Sequence, residues 1–263
     1  MTLRPTSDVL SYVVALLMLT VPALSAAADH PDLETLLSQG PEALLKRADA
    51  LADPHSTVTR EVRMTLKGGG DDGRELKMTI INGPKSRAAL RFSYPADLKG
   101  LAVLMKGKNE MYIKLPGSKK VRRVASHARR QSFKGTDWSL DDLKTVRLLP
   151  DFVPTIASSD DTYINLTLER RENSSNPYEK LVTRVVKANL TIDRIDYFEG
   201  SERIKRQERT NLEPEPDGST AYRSITMTDF RRDHATVLDV LKLDYKTKVP
   251  KKTFTKRWLI RGT

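Results

Sequence analysis

The chain has 263 residues, which fits one large domain once an N-terminal leader is set aside. With 45 Lys and Arg against 34 Asp and Glu, its formal charge is +11. That attracts nucleic acid, anionic membrane surfaces or acidic partners without choosing among them. There is no cysteine, which excludes disulfides, thiolate metal sites, thiol nucleophiles and a cysteine-anchored lipid tail.

The N-terminus points to export. Val9 to Leu19 is an apolar run of signal-peptide length and is short for a membrane span. Pro22 breaks it, and Ala26-Ala27-Ala28 supplies the small residues of a cleavage site. Residues 1–28 are therefore expected to be a signal peptide cleaved near Ala28, leaving 29–263 as one periplasmic domain. Export removes most of the weight from nucleic acid as a partner.

Pro41 to Leu51 reads as a short amphipathic helix with Leu44, Leu45, Ala48 and Leu51 on one face. Strands follow. Val62, Met64 and Leu66 alternate with Arg63, Thr65 and Lys67. A Gly-Asp turn then leads to Leu76, Met78 and Ile80 alternating with polar residues. Leu90, Phe92 and Tyr94 are expected on one face of the next strand. Leu101 to Met105 is apolar throughout and is expected to be buried on both sides. Met111, Ile113 and Leu115 alternate again. Short links between these runs predict an antiparallel meander.

From Met111 to Thr136 there are eight Lys or Arg and no acid. Ser139 followed by Asp142 predicts a capped helix start, and this reading outweighs acid chemistry or a metal for Asp141 and Asp142. Pro150 and Pro154 are expected to bound a loop. Further strands are expected around Ile164 to Leu168, Val182 to Lys187, Asn189 to Phe198, Arg203 to Thr210, Tyr222 to Phe230 and Val237 to Tyr245. The tail from Lys251 to Ile260 suits a short basic helix.

No catalytic constellation appears. His30, His55, His127 and His234 are dispersed without metal-ligand spacing. There is no G-x-S-x-G elbow, and Gly83-Pro84-Lys85-Ser86 lacks the earlier glycine of a phosphate loop. No enzyme activity, metal or cofactor is expected.

The central block resembles the outer-membrane lipoprotein-sorting family, within the periplasmic lipoprotein carrier-like superfamily. The residues are Leu115-Pro116, the basic strand Lys119 to Val124, Phe133-Lys134-Gly135-Thr136-Asp137-Trp138, and Asp141-Asp142-Leu143. Pro95 to Gly100, the Tyr197 to Lys205 turn and Phe254 to Leu259 agree in position. The resemblance implies a mainly β (α+β) fold: a curved antiparallel sheet forming an incomplete β-barrel, with short helices plugging the open side. It also implies a lipid-binding cavity between sheet and helices.

On that reading the function is a non-enzymatic periplasmic carrier of a lipid or lipidated protein between membranes. The expected apolar lining is Met64, Leu66, Met78, Ile80, Leu90, Phe92, Met111 and Ile113, with methionines able to repack around variable chains. Lys119, Lys120, Arg122, Arg123, Arg129 and Arg130 are candidates to face an anionic membrane or an inner-membrane transporter. A solvated strand face accounts for these charges equally well. The alternative is an envelope-stress sensor or scaffold, or an accessory subunit of a membrane exporter.

Overall fold

The computed structural model describes residues 28–52, 57–107, 110–144 and 147–262. The expected leader, apart from Ala28, and His55 lie outside the described residues.

Period-2 sequence patterns become one sheet of 13 antiparallel strands. The first meander is β1 (Val58–Lys67), β2 (Glu75–Gly83), β3 (Arg87–Tyr94), β4 (Ala102–Lys106), β5 (Glu110–Lys114) and β6 (Val121–Arg123). The second is β7 (Phe152–Ser159), β8 (Tyr163–Arg170), β9 (Lys180–Val186), β10 (Ile192–Glu199), β11 (Glu202–Pro214), β12 (Thr220–Asp229) and β13 (His234–Asp244). β1 pairs with β13, so the two meanders join along a central seam. β6 and β7 are left as the two edges, and the sheet does not close into a barrel.

Helices flank the sheet, most over the concave face and the last on the opposite face. α1 (Leu33–Ser38) and α2 (Pro41–Ala52) precede the sheet. α3 (Ser126–Arg130) and α4 (Leu140–Lys144) lie in the connection between the two edges, and α5 (Lys256–Arg261) follows the last strand. The sheet contributes Val62, Met64, Leu66, Met78, Leu90 and Phe92 to the main core. Its second half adds Ile164, Leu166, Leu168, Leu181 and Val185. Phe133, Trp138 and Leu140 from the connection pack against them.

β4 is buried on both sides, as its unbroken apolar run predicts. Leu101, Val103 and Met105 belong to the main core. Ala102 and Leu104 face the opposite way and meet Phe254, Trp258 and Leu259 of the C-terminal segment. Arg91 ties that segment down by donating to the carbonyls of Trp258 (2.8 Å) and Leu259 (3.1 Å). Gly83 permits the close approach of Phe254, because a Cβ there would overlap the ring.

Two expectations need correction. Pro154 lies inside β7 rather than bounding a loop. β7 is an edge strand, where one side of the ladder is unpaired and proline is tolerated. Tyr94 does not join Leu90 and Phe92 on the inner face. A bulge shifts the register between β2 and β3 beside Met78 and Phe92, which turns Tyr94 outward to 49% exposure.

Asp137 fixes the connection to the sheet. Its carboxylate is fully buried. Oδ2 lies 2.7 Å from His234 Nδ1 and accepts from Thr236 Oγ1 at 2.6 Å, while Oδ1 accepts from Arg232 Nη1 at 3.2 Å. Its backbone carbonyl accepts from Lys205 Nζ at 2.9 Å. Asp49 on α2 performs a similar service. It accepts from the N–H groups of Leu148 and Leu149 at 2.8–3.0 Å, and burial raises its carboxyl above the usual range despite those bonds.

Asp137→Ala strands the buried His234 and Thr236 side chains without their acceptor, while Arg232 keeps the Gly135 carbonyl. The substitution is expected to cost about 3–5 kcal/mol, read as a lowered urea midpoint. Gly83→Ala forces Phe254 out of its seat and is expected to cost about 1–3 kcal/mol. Limited proteolysis should then release the C-terminal segment before the sheet is cut.

Candidate functional site

A cavity of about 190 Å³ opens between the concave face and the helices. Its floor crosses the seam: Val58, Val62 and Ile80 come from the first meander, and Ile225, Leu238 and Val240 from the second. Its roof is Ala48, Leu51 and Ala52 of α2 with Trp138 and Leu143 beside and on α4. The space exists because small residues stand where the sheet and helices face each other. Ala48, Ala52, Ser219, Thr220 and Ala221 do not fill it.

The helix roof is set by local chemistry. Ser139 N–H donates to Asp142 Oδ2 at 2.8 Å, and Asp142 N–H donates to Ser139 Oγ at 3.1 Å. This is the reciprocal cap expected from sequence, with Asp in place of the commoner Glu. Asp142 also accepts from Tyr178 Oη at 2.9 Å and lies 3.6 Å from Lys205 Nζ. Burial first, and then the Asp142 charge, push the Tyr178 phenol well above its ordinary value. Neighbouring Asp141 is held near Arg129, with a 3.8 Å separation. Burial raises its carboxyl, and Arg129 opposes that shift.

The cavity also has a polar wall. Arg60 Nη1 donates to Asn82 Oδ1 at 2.7 Å. Tyr222 Oη and Thr191 Oγ1 share a hydrogen bond of 2.7 Å. Glu215 is engaged by Arg223. Gln207 and Arg209 complete the lining from β11.

The eight residues expected to line a site all reach the main core. Met64, Leu66, Met78, Leu90, Phe92 and Met111 are at most 2% exposed and packed against one another and the connection; Phe133, for example, lies 5.8 Å from Phe92 between ring centres. Ile113 packs at the margin of that core. Ile80 is the member of the set that lines the cavity. Of the six basic candidates, Lys119, Lys120, Arg122, Arg123 and Arg130 are exposed on and beside edge strand β6, while Arg129 is buried and turned onto Asp141.

Sequence reasoning missed the second-meander wall, above all Gln207 and Arg209. A signal was present: Lys205, Gln207 and Arg209 share one face of β11 while Arg206 and Glu208 share the other. A strand charged on both faces has to turn one polar row inward. The mouth drew no attention because its residues are small and belong to hairpin ends. Among the described residues, no group of three His, Asp or Glu converges as a metal site, and no helix is long and apolar enough to cross a membrane.

A family model described as an uncharacterized protein family matches residues 84–261. No curated protein matches the chain. Three solved structures share its fold. An outer membrane lipoprotein-sorting protein domain from Vibrio parahaemolyticus aligns with a TM-score of 0.73 at 18% identity, over 85% of this chain and 99% of that one. A DUF1329 family protein from Desulfovibrio piger gives 0.73 at 22% identity, over 83% and 97%. A LolA superfamily protein from Nitrosomonas europaea gives 0.71 at 19% identity, over 83% and 99%. The chain belongs to the family that the model describes, and its open antiparallel sheet is the fold of these three structures, among them a LolA superfamily protein and an outer membrane lipoprotein-sorting protein domain.

Proposed function

We propose that this protein is a non-enzymatic periplasmic carrier that shelters an acyl chain, of a lipid or a lipidated protein, on its way between membranes. The observation that carries this reading is the cavity between the concave face and α2 and α4. Its walls are mostly apolar, and it sits in a fold shared with lipoprotein-sorting proteins. Each CH₂ removed from water gains about 0.8 kcal/mol, so an acyl chain crosses an aqueous space only inside such a shelter. The apolar run before Ala28 supports export of residues 29–263 into that space.

The cavity volume bounds the cargo. About 190 Å³ exceeds the roughly 150 Å³ that takes up benzene, but falls below the roughly 300–1,000 Å³ of ordinary small-molecule sites. It holds part of one chain as it stands. A longer or second chain requires α2 and α4 to move away from the sheet.

The exposed cations beside β6 suit docking to an anionic membrane. Among the described residues, Lys119, Lys120, Arg122, Arg123 and Arg130 form no ion pair. They stand on the edge where the sheet ends.

Native mass spectrometry of protein recovered from a bacterial periplasm tests the carrier reading. The wild type is expected to retain acyl lipid. Ile225→Trp, which fills the cavity from its floor, is expected to lower occupancy at least about tenfold with folding retained. A wild type that arrives empty and takes up no acyl probe overturns the carrier. Capture of a membrane protein by that empty form would support a sensor, scaffold or exporter subunit instead. Replacing Lys119, Lys120, Arg122 and Arg123 with Gln is expected to weaken binding to anionic vesicles more than about tenfold at low salt. An unchanged affinity would mean that the edge is simply solvated.

A further inference from the structure

Among the described residues, Arg209 is a cation of the cavity wall whose chemistry is unfinished. β11 turns Lys205, Gln207 and Arg209 to the concave face in strict alternation. Lys205 is occupied by the Asp137 carbonyl and the Asp142 carboxylate. Gln207 accepts from Tyr197 Oη through Oε1 at 2.8 Å, which leaves its amide N–H groups for another acceptor. Arg209 makes a single hydrogen bond, a long one of 3.3 Å from Nη1 to the Ile192 carbonyl. Its Nε is buried with no acceptor.

No described carboxylate is free to complete it. Asp142 is held by its helix cap, Tyr178 and Lys205. Glu215 is held by Arg223. Asp193 is gripped by both ends of the Arg184 fork at 2.7–2.8 Å. Asp49 is spent on the N–H groups of Leu148 and Leu149. Asp49 and Asp193 reach Arg209 only through space, and burial outweighs them, so its proton affinity is lowered. Arg209 keeps some accessible surface and lines the cavity.

A guanidinium in such a place is costly unless something anionic meets it. Its planar fork matches a carboxylate or a phosphate ester. The Gln207 amide lines the same cavity and adds neutral donors, while the Thr191 and Tyr222 hydroxyl protons are spent on Asn189 Oδ1 and Thr191 Oγ1.

We propose that the cavity selects an anionic amphiphile: its carboxylate or phosphate ester pairs with Arg209, and its acyl tail runs along Val62, Ile225, Leu238 and Val240. This rests on the carrier reading and assigns the polarity of the cargo. The anion neutralises Arg209, and the tail replaces the empty space. A neutral tail of the same length gains only the second of these.

Calorimetric titration with four probes decides it: dodecanoate, dodecyl phosphate, dodecanol and inorganic phosphate. The wild type is expected to bind the two anionic amphiphiles at least roughly tenfold more tightly than dodecanol. Whichever of the two binds more tightly assigns the headgroup. Arg209→Met, which keeps the bulk and removes the charge, is expected to erase the preference while dodecanol binds as before. Arg209→Lys should retain part of it. If Arg209→Met fails to fold, the wild-type ratio and the Lys variant still decide the question. Equal binding of dodecanoate and dodecanol by the wild type overturns this inference and leaves the carrier standing. Inorganic phosphate binding as tightly as dodecyl phosphate overturns it too, since the tail would then contribute nothing. Failure of all three chain-bearing probes overturns both readings.

Discussion

A buried carboxylate, Asp137, sets how the two layers of this protein register on each other. The connection between β6 and β7 must cross the concave face from one sheet edge to the other. Apolar contact alone would leave its position along the strands poorly specified, because Phe133, Trp138 and Leu140 find apolar neighbours at many registers. Asp137 removes that freedom. Its partners His234, Thr236 and Arg232 all lie on or next to the start of β13. A charge that is fully buried is tolerable only at the one location where these donors converge. Everything that roofs the cavity on this side follows from that location: Trp138, the Ser139–Asp142 cap and Leu143.

The same fact changes the meaning of His234. A histidine touching a buried aspartate invites comparison with a catalytic pair. Here the aspartate is saturated by structural donors, and the neighbouring Thr236 hydroxyl donates to the same Asp137 oxygen as it would to any acceptor. The Phe-x-Gly-Thr-Asp-aromatic block is recognisable in sequence because it solves a packing problem.

Much of the fold was legible because it is written in a two-residue period. Val62, Met64 and Leu66 against Arg63, Thr65 and Lys67 state both the strand and its inner face. The uninterrupted run from Leu101 to Met105 states that a second layer must exist outside β4. Tyr94 was misread because a bulge resets the period without any compositional mark. β7 was missed because proline normally argues against a strand, and edge position is a property of topology rather than of local sequence. The cavity was the least legible feature. Large apolar residues such as Phe92 and Met64 advertise a core by filling it. A void is made by what is absent, here by Ala48, Ala52 and Ala221, and by a long-range pairing that brings β11 to β13 opposite α2.

The central seam has a further consequence. Each meander is built from hairpins between sequence neighbours, but β1 and β13 come from opposite ends of the described chain. Contacts of such high sequence separation carry the largest loop-closure cost and form slowly. The cavity straddles that seam, so neither half of the chain contains it alone. A guest lodged there touches both halves and binds only when they are joined. It therefore acts as a clasp on the least local link of the fold, stabilising the native topology by mass action where the chain's own connectivity contributes least.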